Sequence, residues 1–225
     1  KRPGLGGLDS VLEPYLDVSH PGFFVELGAN DGYLQSNTYF LEKEFGWQGV
    51  LIEPSPIAFI DLLQSRSERN YFECAACVEF GYTSEFVRMY FSGLMTVTDR
   101  QNDIPVQGLE YAERGRRHLP LGQRAFLFVA IAKTLQSVLE DAEAPQQIDF
   151  LSLDVEGAEL SVLRGIDHSQ FRFSLMLVES QSPSILVEYL QPLGYEMVAT
   201  LSHHDYVFRD SLRDSLKSNV SSGSS

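Results

Sequence analysis

The chain has 225 residues, 44% of them apolar and 12% aromatic, with 31 acidic against 17 basic side chains and a formal charge of -14. So much apolar surface excludes disorder over the bulk and predicts one compact domain with decorations. The charge would repel a phosphate backbone, which argues against a nucleic-acid partner.

No membrane span is expected. The longest apolar run, Ala125 to Ala132, is eight residues fenced by Arg124 and Lys133, where a bilayer needs about 20. The opening Lys1-Arg2-Pro3-Gly4 has no apolar leader, and Cys74 and Cys77 are the only cysteines, too few for a disulfide framework. Both features predict a reducing, cytoplasmic location.

Taken in chain order, Leu8, Val11, Leu12, Tyr15 and Leu16 recur at helical spacing behind Asp9 and Ser10, which predicts an N-terminal helix over 8–16. Short apolar runs then alternate with helical patterns. Phe23 to Leu27, Val50 to Ile52, Tyr71 to Val78, Ile148 to Leu153 and Leu175 to Val178 read as buried strands. Tyr39 to Phe45, Ile57 to Leu63, Leu160 to Leu163 and Ile185 to Leu190 read as helices. Such alternation predicts a parallel sheet with crossover helices on both faces. Glu196 to Leu201 and Tyr206 to Phe208 are joined only by Ser202-His203-His204-Asp205, a link so short that it forces an antiparallel hairpin. By analogy this is the Rossmann-like α/β layout of class I methyltransferases, a mostly parallel seven-stranded sheet of order 3-2-1-4-5-7-6 with an antiparallel last strand. A single domain over 1–210 follows, with a polar tail over 211–225. Residues 92–124 have weak periodicity and hold five of the seventeen basic residues, Glu113-Arg114-Gly115-Arg116-Arg117-His118 among them. They read either as a lid or as a solvated surface excursion.

In open α/β sheets ligands sit beyond the carboxyl ends of the strands. The first strand ends in Val25-Glu26-Leu27-Gly28-Ala29-Asn30-Asp31-Gly32, where Gly28 and Gly32 permit positive φ and close approach of a ligand. The second ends in Leu51-Ile52-Glu53-Pro54, with a carboxylate 25 residues after Gly28 that suits the two hydroxyls of a ribose. A dinucleotide would bring its pyrophosphate against Glu26 and Asp31, whereas S-adenosylmethionine brings an ammonium and a sulfonium that carboxylates favour.

These two segments, together with Ile148-Asp149-Phe150-Leu151-Ser152-Leu153-Asp154-Val155-Glu156-Gly157-Ala158-Glu159 and the closing His204-Asp205-Tyr206-Val207-Phe208, resemble the FkbM family of S-adenosylmethionine-dependent methyltransferases from about Phe23 to Phe208. The resemblance implies that Glu26, Gly28, Asn30, Asp31 and Gly32 surround the methionyl part and that Glu53 holds the ribose. It implies further that Ser55 and the backbone of Cys74, Ala75 and Ala76 border the adenine, and that Ser36 and Asn37 hold the cofactor carboxylate.

A hydroxyl acceptor must lose a proton, so a base or a metal is expected. Asp154 and Glu179 follow adjacent strands and make two readings possible: a magnesium site, or contact of Asp154 with the cofactor amine while Glu156 and Glu159 serve a helix N-terminus. The hairpin turn brings His203, His204 and Asp205 to the same mouth, with His204 the preferred proton acceptor. Asp154, Glu179 and His204 are the catalytic candidates. Cys74 and Cys77 read as structural, and Trp47 as core. The expected function is O-methylation of a hydroxyl on a small natural product or sugar. Alternatives are N-methylation of a peptide amide or amine, a cofactor-binding module without turnover, and an NAD-dependent oxidoreductase.

Overall fold

The computed structural model describes residues 2–98 and 125–212, together with Glu110, Glu113 and Gly115. Their helices are α1 (Leu8–Leu12), α2 (Tyr39–Phe45), α3 (Pro56–Ser65), α4 (Leu135–Asp141), α5 (Glu159–Leu163) and α6 (Pro183–Leu190). Their strands are β1 (Phe23–Leu27), β2 (Gln48–Ile52), β3 (Tyr71–Glu73), β4 (Ala75–Val78), β5 (Phe86–Phe91), β6 (Val97–Thr98), β7 (Phe126–Thr134), β8 (Gln147–Leu153), β9 (Arg172–Glu179), β10 (Tyr195–Thr200) and β11 (Asp205–Asp210). None of these helices is long and apolar enough to cross a membrane.

The principal sheet has seven strands in the order β3-β2-β1-β8-β9-β11-β10. In chain numbering this departs from the expected 3-2-1-4-5-7-6, because four strands that the sequence reading did not separate are inserted between β3 and β8. The seven strands numbered among themselves follow that sequence. The sheet is mixed: β11 runs antiparallel to both β9 and β10, while β1, β2, β3, β8 and β9 pair in parallel.

The inserted strands form a second sheet, β4-β7-β5-β6. The run Tyr71 to Val78 is therefore two strands and not one. The chain breaks at Cys74, so that Tyr71–Glu73 pairs with β2 and Ala75–Val78 pairs with β7. Apolarity alone could not show the break, since both halves are hydrophobic. The apolar run that ends at Ala132 is most of β7, whose even positions Phe128, Ala130 and Ala132 pack on Ala76, Val78, Val87 and Met89.

Period-two alternation in the central strands supplies two cores, one on each face of the principal sheet. Val25, Leu27, Leu151 and Leu153 face α4, α5 and α6, while Phe24, Leu51, Phe150 and Leu177 face α1, α2 and α3, with Trp47 1% exposed among them. The N-terminal helix is shorter than the expected 8–16. Its last turn tightens to 3-10 geometry over Glu13–Tyr15, where Pro14 removes the amide that an α-helix would need. Of the expected lid, Gly93–Met95 forms a 3-10 turn leading into β6. Residues 99–109, 111, 112, 114 and 116–124, with Arg114, Arg116, Arg117 and His118 among them, lie outside the described residues, as do residues 213–225 of the expected tail.

Candidate functional site

A cavity of about 230 Å3 opens at the carboxyl ends of β1, β2, β8 and β9. From β1 and its following loop come Glu26, Gly28, Asn30, Ser36 and Asn37. From the end of β2 comes Glu53, from beyond β8 come Asp154 and Glu156, and Glu179 and His204 close the far side. Met89 of the second sheet and Leu5 are unanticipated parts of the lining, to which Ser152 also belongs, while Gly93, Leu94, Met95 and Thr96 come from the stretch read as a lid or a surface excursion. No motif marks Met89, because tertiary packing of the inserted sheet brings it in.

Several expected cofactor residues are set apart from this cavity. Asp31, Gly32, Ser55, Cys74, Ala75 and Ala76 are not part of its wall. The Asp31 carboxylate accepts the amides of Tyr33 and Leu34 at 2.9 and 2.7 Å, so it closes a turn. Gly32 has φ 77°, and a Cβ there would press on Leu62 and Arg66, so its small size serves packing against α3. Gly28 does line the cavity, at φ 76°, but a Cβ would collide with the Asp154 carbonyl and not with a guest.

Glu26 is a structural hub. Its carboxylate, 4% exposed, accepts from Ser36 Oγ at 3.0 Å, from the Asn37 amide at 3.0 Å and from Thr38 Oγ1 at 2.6 Å. It also faces Arg66 Nη1 at 3.2 Å. Arg66 is itself buried, donates from Nε to Glu42 at 2.7 Å and from Nη2 to Thr38 at 3.0 Å, and so compensates both acids. Ser36 in turn accepts the Tyr39 amide at 3.1 Å, at the start of α2. The charge of Glu26 is thus spent on shaping the wall. The expectation that Glu26 and Asp31 make the glycine turn negative toward a guest does not hold, because one is neutralised by Arg66 and the other is folded into a turn.

Glu53 behaves differently. Its oxygens accept the amides of Asn30 at 2.9 Å and Ser55 at 2.8 Å, which fixes the carboxyl at the end of β2. Burial pushes it up to about 7 despite those two bonds. Among the described residues no cation lies against it.

The opposite wall holds most of the uncompensated acid. Asp154 and Glu179 share a hydrogen bond, which two carboxyl groups can form only with a proton between them. Burial raises both, and so does mutual repulsion with Glu159 and Asp205, and in the case of Glu179 also with Glu156. His204 Nε2 lies 3.6 Å from Asp205 and 3.8 Å from Glu179. Its Nδ1 is 2.8 Å from His203 Nε2. Among the described residues, the side chains whose ligand atoms converge within 4.8 Å are Glu179, His204 and Asp205, in place of the Asp154 and Glu179 pair expected for magnesium. Glu159 accepts the Gly157 amide at 2.8 Å, as an acid opening a helix does. His203 does not reach the cavity wall. Cys77 is a half-buried thiol pushed up to about 12 by burial, in keeping with a structural role.

Asn37 joins the two walls. Its Nδ2 donates to Ser152 Oγ at 3.2 Å, and its Oδ1 is buried without a hydrogen-bond partner. A buried acceptor left open in this way fits a guest that donates a hydrogen bond. The cavity as a whole, with a fixed carboxyl at β2 and an open acceptor beside acids at β8 and β9, fits a cationic nucleoside cofactor such as S-adenosylmethionine.

Residues 26–208 match the family model of the methyltransferase FkbM domain. No curated protein matches the chain. Among solved structures, the METTL16 MTase domain is 12% identical with a TM-score of 0.46, the match covering 89% of this chain and 63% of that one. Precorrin-6y C5,15-methyltransferase from Geobacter metallireducens GS-15 is 10% identical with a TM-score of 0.44, over 89% and 85% of the two chains. The chain spans less than two thirds of the first of these structures.

Proposed function

Because the chain belongs to the FkbM methyltransferase family, we propose that it transfers a methyl group from S-adenosylmethionine to a hydroxyl of a small natural product or sugar. The observation that carries this reading is the single cavity that places Glu53 at the end of β2 and the Asp154, Glu179 and His204 cluster on its opposite wall. The cofactor supplies, when bound, an electrophilic methyl whose C–S electron pair stays on sulfur. Glu53 accepts the ribose hydroxyls, and Asp154 faces the methionyl end.

His204 takes the acceptor's hydroxyl proton as the new C–O bond forms, and the resulting imidazolium is stabilised by Asp205 and Glu179. With Nδ1–H donated to His203, the lone pair of His204 sits on Nε2, toward the cavity. Asp154, protonated toward Glu179, holds that wall in place. Met89 and the Gly93–Met95 turn restrict water on the side of the second sheet.

A transfer assay with methyl-labelled cofactor and a panel of hydroxyl acceptors tests this. Turnover that falls at least 100-fold in His204→Gln, with cofactor affinity retained, is the expected result. Cofactor binding with no turnover on any hydroxyl or amine would instead make the protein a silent binding module.

A further inference from the structure

Beyond the cofactor cavity, and continuous with it through Asn37, Asp154, Glu179 and His204, lies a recess of about 30 Å3 closed by Ser152 and Asp205. Its size admits a group comparable to one or two waters. Leu5, Leu8 and Leu177 form an apolar rim around it.

The recess has an excess of negative groups. The Asp154 and Glu179 pair, which shares one proton, and Asp205 border it, and among the described residues His204 is the sole basic side chain in its lining. The opposite wall cannot export positive charge to it, because Arg66 is engaged by Glu26, Glu42 and Thr38. S-adenosylmethionine carries an ammonium and a sulfonium against one carboxylate, a net charge of about one, which leaves the acids beyond it without a full counter-charge among the described residues. The open Asn37 Oδ1 is an independent sign: it is a buried acceptor for which the described residues provide no donor.

Resting on the reading of this cavity as a methyltransferase site, we propose that the methyl acceptor is an amino alcohol or amino sugar, whose protonated amine enters the recess against Glu179, Asp205 and Asn37 Oδ1 while its hydroxyl faces His204. An ammonium matches the recess in size, in charge and in its three donors. A carboxylate-bearing acceptor meets repulsion there, contrary to what an arginine-rich lid over residues 92–124 would favour. A neutral polyol leaves the acids uncompensated.

Binding to the protein saturated with S-adenosylhomocysteine tests the proposal. Ligand-observed NMR would compare acceptors that differ only at the amine: glucosamine with glucose and N-acetylglucosamine, and dopamine with 4-ethylcatechol. The amine-bearing member of each set is expected to bind at least tenfold more tightly, and Glu179→Gln and Asp205→Asn are each expected to shrink that advantage below threefold. Equal binding of the neutral and acetylated members overturns the proposal, and so does binding of Mg2+ or Mn2+ in the recess with no binding of any amine. Failure of S-adenosylhomocysteine to bind, measured first and separately by calorimetry, defeats the cofactor reading instead.

Discussion

The two walls of the cavity use the same residue types to opposite ends. On the β1 side, Glu26 is met by three hydrogen-bond donors and a buried guanidinium. On the β8 and β9 side, Asp154 and Glu179 meet each other, and the nearest base among the described residues is an imidazole 3.8 Å from Glu179. A carboxylate whose charge is fully compensated organises the chain around it. One whose charge is left over holds a proton or waits for a cation. The negative character of this site therefore comes from the ends of β8, β9 and the β10–β11 turn, and not from the glycine turn that the sequence singles out.

The strongest test of the compensated wall is Arg66→Met. It leaves Glu26 buried without its cation and Glu42 with Lys43 alone, and is expected to cost about 3–5 kcal/mol in chemical denaturation. Adding Glu26→Gln should recover part of that loss. A cost below about 1 kcal/mol would show that the wall does not depend on this ion pair.

On the uncompensated wall, Asp154→Asn keeps a hydrogen bond to Glu179 but removes the shared proton. Turnover should drop on the order of 100-fold with thermal stability unchanged or raised, since one repelling acid is gone. A drop in stability with turnover intact would assign Asp154 to the fold.

Glu53 lies between the two cases, and pH separates it from both. Its pKa in the folded protein, about 7, exceeds its ordinary value of 4.5, so the folded state binds this proton more tightly than the unfolded chain. The stability that the protonated form contributes is present in full below about pH 4.5 and is lost as pH rises through 7. Relative to Glu53→Gln, the wild-type protein should lose on the order of 1–3 kcal/mol between pH 5 and 8. Parallel stability curves would mean that the carboxyl is already ionised at pH 5.

The smallest effect should come from His203→Ala. His203 touches the site only through His204 Nδ1, so kcat is expected to change less than about fivefold while the pH profile of turnover shifts. His204→Ala should abolish most turnover at every pH.

Much of the principal sheet was legible because buried parallel strands write themselves as apolar runs. Phe23–Leu27 and Tyr39–Phe45 occur at the residues their patterns imply. The hairpin was legible from the four residues that join its strands. The split at Cys74 and the second sheet were not, since periodicity records burial and not which sheet a strand joins. At the site, Glu53, Asp154, Glu179 and His204 were found from their places after strands, and all four reach the cavity. Glu26 reaches the cavity wall as expected, but its partner, Arg66, follows α3 forty residues away and carries no motif. Asp31 and Gly32 belong to the glycine signature for reasons of turn geometry and helix packing.

The central claim is that Glu53, at the end of β2, holds the sugar of a cationic nucleoside cofactor. Calorimetric titration of S-adenosylhomocysteine into the wild-type protein and Glu53→Ala tests it most directly. One site per chain is expected, weakened by more than about 1 kcal/mol in the variant through loss of two charge-assisted hydrogen bonds. Equal affinity in the two proteins, or binding of NADH in place of S-adenosylhomocysteine, would contradict it.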